Sequence, residues 1–181
     1  MKNVYVDTNV LRDCLERRND DSIVLMNYAS EKKIICKTSI FSFIELVETK
    51  KDDKFFYNKI AKKWEISKIL RQRHEKDLTD SDFEEINNEL DRFKKEREYI
   101  LTESLTGEGW NLALKISNFS NLSVGDSIHL AIAGGTYCDL LVTSDNFFIK
   151  SAKQFIKKQD IWPGLKILNP NDALEIIKVE K

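Results

Sequence analysis

Two prolines and six glycines in 181 residues are too few for a long linker or a disordered tract. Three cysteines, Cys14, Cys36 and Cys138, are odd in number and far apart, which fits neither a disulfide framework nor a zinc ribbon. They read as buried thiols in a reducing compartment. Histidine is scarcer still, with only His74 and His129. No apolar stretch approaches the ~18 residues needed to span a bilayer. The N-terminus enters a strand pattern without a charged-then-apolar leader. These absences lead to the expectation of a soluble cytoplasmic protein with no membrane partner.

What is present is enough for a packed core. Hydrophobic residues make up 41% and charged residues 33%. The length suits one domain over residues 1–181. The net charge of −1 conceals an asymmetry. Residues 50–76 carry ten Lys or Arg against four acids, and residues 77–108 carry eleven acids against four bases. Two solvated helix faces that neutralise each other account for this, and so does a basic helix that tracks a phosphate backbone.

Four short apolar runs read as buried parallel strands: Val4–Val6, Lys33–Cys36, Leu140–Thr143 and Leu165–Leu168. Tyr99–Thr102 is a candidate fifth. Helical patterns lie between them at Leu11–Glu16, Ser22–Ser30, Ile40–Thr49, Phe55–Arg73, Ser81–Arg97, Gly109–Phe119 and Ser127–Thr136. Thr38 or Ser39 is placed to cap the third, and "NPNDALEIIK" forms a short terminal helix. The alternation predicts an α/β fold with a central parallel sheet, and a helical hairpin over 53–97 that protrudes from it.

Ligands of open parallel sheets bind at the carboxyl ends of the strands. Asp7 follows "VYV" directly, and Asp145 closes "LLVTSD". Glu45 interrupts the apolar helix "SIFSFIELVET", and Asp126 opens "DSIHLAIAGG". Each has a plain structural explanation. Asp7 suits an Asx-turn with Asn9, Asp126 a capping box led by Ser123, and Asp145 an N-cap. Glu45 suits a lysine pair, unless Glu48 is the acid that matters there. Four such acids together point instead to one convergent site. Carboxylates that close repel one another, and a hard divalent cation relieves this. Mg²⁺ or Mn²⁺ prefers oxygen ligands and retains waters, which suits hydrolysis of a phosphodiester.

"VDTNVL", Glu45 in "SFIEL", "GDSIHLAIA" and "LLVTSDNFF" in this order resemble the PIN-domain ribonucleases, in particular their toxin-like (VapC-like) branch. The resemblance implies a three-layer α/β/α PIN-like fold and a Mg²⁺- or Mn²⁺-dependent endoribonuclease, often homodimeric. It implies an RNA substrate and, for toxin-like members, an antitoxin protein that covers the site. Carried over motif by motif, Asp7, Glu45, Asp126 and Asp145 form the acidic metal-binding and catalytic set. Thr8, Asn9, Thr143 and Ser144 lie within the same motifs and suit hydrogen bonding that holds the carboxylates in place. The charged segment 53–97 makes the chain longer than a compact toxin of this kind.

His129, three residues after Asp126, reads as a packed and hydrogen-bonded structural residue. Trp64, Trp110 and Trp162 read as core or partner contacts, and Phe147 and Phe148 as core. A PIN-fold module that binds RNA or a protein without cutting is the alternative. A haloacid-dehalogenase-like phosphotransferase is disfavoured by Asn9, where a second acid is typical.

Overall fold

A computed structural model describes residues 1–179. Five strands form one all-parallel sheet: β1 (Asn3–Val6), β2 (Ile35–Ser39), β3 (Leu101–Glu103), β4 (Leu140–Val142) and β5 (Lys166–Leu168). Their order is β3-β2-β1-β4-β5. The chain therefore steps from β1 to one side with β2 and to the other with β4, and a switch point lies between β1 and β4.

The contacts divide the chain into two compact units. One is Met1–Ser42 with the chain from Tyr99 onward, and the other is Phe43–Glu98. The first contains the sheet and the helices α1 (Thr8–Leu15), α2 (Asp20–Ser30), α6 (Gly107–Phe119), α7 (Val124–Gly135), α8 (Asn146–Gln159) and α9 (Pro170–Val179). Side chains alternate across the sheet. Tyr5, Leu141 and Ile167 are register partners across β1, β4 and β5. They enter one core cluster with Ile116 of α6, Ile128 and Leu130 of α7, and Phe148 and Phe155 of α8. On the other side α1, α2 and α9 pack together, and α9 reaches β4 and β5. At the centre of the sheet both faces are covered, and Val4, Tyr5 and Val6 of β1 and Leu140, Leu141 and Val142 of β4 are all buried and apolar.

The second unit contains most of α3 (Ile40–Ala61), then α4 (Ile66–Arg71) and α5 (Asp80–Lys95). Helix α5 opens with a capping box between Thr79 and Asp82 and buries Ile86, Leu90 and Phe93 on one stripe. The charge asymmetry resolves into ion pairs. Lys50 reaches Glu89 at 3.0 Å, Lys59 reaches Asp77 at 2.6 Å, and Lys54 pairs with Glu85. The basic and acidic stretches thus neutralise each other to a large extent.

Several elements differ from expectation. The helix expected over Phe55–Arg73 is divided: α3 runs from Ile40 through Ala61, and the break carries Lys63 in the left-handed region at φ 58°. Trp64 fills that break, with Lys59 and Lys68 ammonium groups 4.2 and 4.0 Å from its ring centroid. Strand β2 lies about two residues later than Lys33–Cys36. Helix α8 follows Asp145 and starts at Asn146, as the N-cap reading of Asp145 requires. Helix α7 ends at Gly135, and a Cβ at Gly134 would sit 2.2 Å from the Trp162 ring, so glycine permits that close approach. Among the described residues no helix is long and apolar enough to cross a membrane.

Candidate active site at the carboxyl edge of the sheet

Asp7 is the first residue after β1, and its amide donates to the Val142 carbonyl of β4 at 3.2 Å. This holds it at the switch point. Its carboxylate caps α1, accepting from Val10 N at 3.1 Å, and takes a longer bond from Asn9 Nδ2 at 3.4 Å. Asp145 follows β4 and caps α8, with Oδ1 accepting from the amides of Phe147 at 2.7 Å and Phe148 at 3.0 Å. Asp126 forms the capping box at the start of α7: its carboxylate accepts from Ser123 N at 3.3 Å, and its amide donates to Ser123 Oγ at 3.1 Å. The capping roles read from the sequence are therefore real. Three helix N-termini, each with an aspartate, meet one edge of the sheet, where the amide ends favour negative charge.

The aspartates also sense one another. Burial pushes the Asp7 carboxyl up to about 6 from 3.8. The His129 imidazole and hydrogen bonds from Thr143 and Val10 oppose this rise, while the charge of Asp126 adds to it. Burial likewise raises Asp126; its bonds to Ser123 oppose the rise, and the nearby Asp145 charge adds to it. Asp126 thus links Asp7 electrostatically to Asp145. Concentrated negative charge of this kind, built from oxygen donors alone, suits a hard cation. Among the described residues, however, no three His, Cys, Asp or Glu side chains stand together as a ligand group. A cation at this edge would be held directly by one or two carboxylates and through its own waters by the rest, which is the ordinary habit of Mg²⁺.

The neighbouring polar residues have distinct tasks. The buried Thr143 hydroxyl accepts from Asp145 N at 3.0 Å and hydrogen-bonds Asp7, so it couples the two carboxylates. Thr8 Oγ1 lies 3.4 Å from His129 Nε2. His129 is buried; its Nδ1 is 2.8 Å from the Tyr5 hydroxyl, and its ring packs near Phe41. Ser144 donates to none of the three aspartates above but to Asp13, at 2.7 Å.

Asp13 escaped the sequence reading. It is buried on α1, accepts also from Ser22 Oγ at 3.3 Å, and has Arg18 Nε at 3.7 Å. It ties α1 to α2 and to the loop that carries Asp145. The available signal was its phase: Asp13 falls three residues after Val10 and beside Cys14, on the apolar stripe of the helix. Glu45 lies half-buried on α3 in the Phe43–Glu98 unit, whereas the three aspartates belong to the other unit. Phe148 is fully buried as expected, but Phe147 is 57% exposed and is not core.

The topology and this edge define a three-layer, PIN-like α/β/α fold. A chain in the crystal structure of VapBC2 from Rickettsia felis bound to a DNA fragment from their promoter aligns over 92% of this chain and 98% of its own. The TM-score is 0.53 and the sequence identity 14%, a likeness of fold. No protein-family model and no curated protein matches the chain.

Proposed function

We propose that the protein is a Mg²⁺- or Mn²⁺-dependent endoribonuclease that hydrolyses RNA phosphodiester bonds, and that it is the toxin of a toxin–antitoxin pair. The observation that supports this best is the coupling of Asp7, Asp126 and Asp145 from three separate elements at the switch point of the sheet. Three independent capping residues would need no such convergence. The likeness of fold to a VapBC2 chain supports an antitoxin protein as partner, and a homodimer is proposed from the sequence resemblance alone.

In this reading Asp7, Asp126 and Asp145 would hold the cation, and Glu45 is proposed for the set on the strength of the sequence motif alone. A bound divalent cation supplies charge neutralisation at the phosphodiester and makes a water easier to deprotonate. The protein's own residues position the groups. Thr143 fixes Asp7 and Asp145 relative to each other, Asp13 anchors Ser144, amides of α1 and α8 hold the Asp7 and Asp145 carboxylates, and the Ser123 amide just before α7 holds that of Asp126.

The test is incubation of structured and unstructured RNAs with Mn²⁺ or Mg²⁺, then with EDTA, alongside Asp126→Asn and Glu45→Gln. The proposal expects metal-dependent cleavage that falls about 100-fold or more in each variant. Equal cleavage by Asp126→Asn would remove the site assignment. A silent module that binds RNA or a protein is the second reading, favoured by the absence, among the described residues, of a three-ligand group. Retained RNA binding with neither metal binding nor cleavage would select it.

A further inference from the structure

Three large apolar side chains stand exposed around the acidic edge, each in the first turn of a helix that begins there. They are Ile40 of α3 at 52%, Val124 of α7 at 68% and Phe147 of α8 at 57%. Only Phe147 is aromatic. Its backbone is fixed to the site, because its amide donates to Asp145 Oδ1 at 2.7 Å. Its sequence neighbour Phe148 is fully buried, so α8 is seated by the second ring and the first is left outside the core. Two residues shortly before Phe147 are polar and exposed: Ser144 in the preceding loop, and Asn146 at the first position of the helix.

We propose that Phe147 is a nucleobase-stacking residue, which holds the face of a base of single-stranded RNA beside the acidic edge. This rests on the endoribonuclease reading for its substrate class. An exposed aromatic ring whose backbone is tied to Asp145, shortly after the exposed Ser144 and Asn146, matches a base, which has an apolar face and a polar edge. A protein segment that covers the same edge would need a continuous apolar surface, and the three residues that precede Phe147 in the chain, Ser144, Asp145 and Asn146, are all polar. The indole of Trp64 has lysines against it and presents no comparable face, and Trp110, also exposed, is held by its amide to the Thr106 carbonyl rather than to one of the aspartates. Stacking tolerates any base, so Phe147 sets single-strandedness and position rather than sequence.

The test is a binding measurement that needs no cleavage. A 12-nucleotide single-stranded RNA with a central 2-aminopurine is titrated in EDTA against wild type, Phe147→Ala, Phe147→Leu and Phe147→Trp. Phe147 is exposed, so the fold persists in all four, and thermal melts check this. The expected result is fluorescence quenching by wild type and Phe147→Trp, with affinity about 5- to 150-fold weaker in Phe147→Ala. Phe147→Leu, apolar but not aromatic, does not restore it. Equal affinity in Phe147→Ala overturns the proposal and assigns the apolar collar to a protein partner. Absence of binding by wild type overturns it as well. Quenching without cleavage in Mn²⁺ leaves the stacking role standing and removes the nuclease reading, so the two fail separately.

Discussion

Replacing Asp7 with asparagine should make the metal-free protein more stable at neutral pH, although it damages the proposed site. Asp7 is buried, and its carboxyl is raised from 3.8 to about 6. An acid raised in the folded state favours folding fully below its unfolded value and loses that contribution as the pH rises through the folded value. The gap is roughly two units at about 1.4 kcal/mol each, or about 3 kcal/mol lost between pH 4 and pH 7. Asparagine is never ionised, and its side-chain oxygen still accepts from Val10 N. Asp7→Asn should therefore match or fall below wild type near pH 4 and exceed it by up to about 3 kcal/mol at pH 8. For a chain of this size that is about 6–12 °C in Tm. Paired thermal melts in EDTA across this range measure it. An offset between the two proteins that is the same at pH 4 and pH 8 would refute the reasoning, because it would mean that Asp7 ionises as easily folded as unfolded.

Further outcomes follow from the same contacts. Mn²⁺ should raise the melting temperature of wild type at pH 8 and leave Asp7→Asn unmoved, as binding to the folded state alone requires. Thr143→Val removes the hydroxyl that couples Asp7 to Asp145, and Mn²⁺ affinity measured by calorimetry should fall about 10- to 100-fold. Asp13→Ala strips Ser144 and Ser22 of their acceptor and should cost about 1–3 kcal/mol in chemical denaturation. Gly134→Ala drives a methyl group into the Trp162 ring and should cost about 1–3 kcal/mol, with a change in tryptophan fluorescence as a second signal.

The central strands were legible because they are covered on both faces, so Val4–Val6 of β1 and all of β4 are buried and apolar and stand out from helical periodicity. Asp7 and Asp145 were legible for a related reason: an acid directly after such a strand has only the carboxyl edge to occupy. Asp126 could be read in two ways, as a cap and as a site acid, and the structure gives it the cap together with the charge coupling. The start of helix α8 was legible only through the N-cap reading of Asp145, because its first turn, "NFF", continues the apolar run of β4 with only "TSD" between them. The break at Lys63 was hidden because no glycine or proline marks it; a lysine takes the left-handed conformation there. Phe147 and Phe148 are chemically identical in sequence, and only the phase of α8 decides which is buried. Asp13 lies on an apolar stripe but is far in sequence from Ser144, its closest partner.

The most direct test of a hydrolytic acid centre is the fate of water oxygen. RNA digested by the wild-type protein with Mn²⁺ in ¹⁸O-labelled water should yield fragments with one ¹⁸O in a terminal phosphate. That label should vanish with EDTA and in Asp7→Asn. Intact RNA, or cyclic-phosphate ends that carry no label, would contradict it.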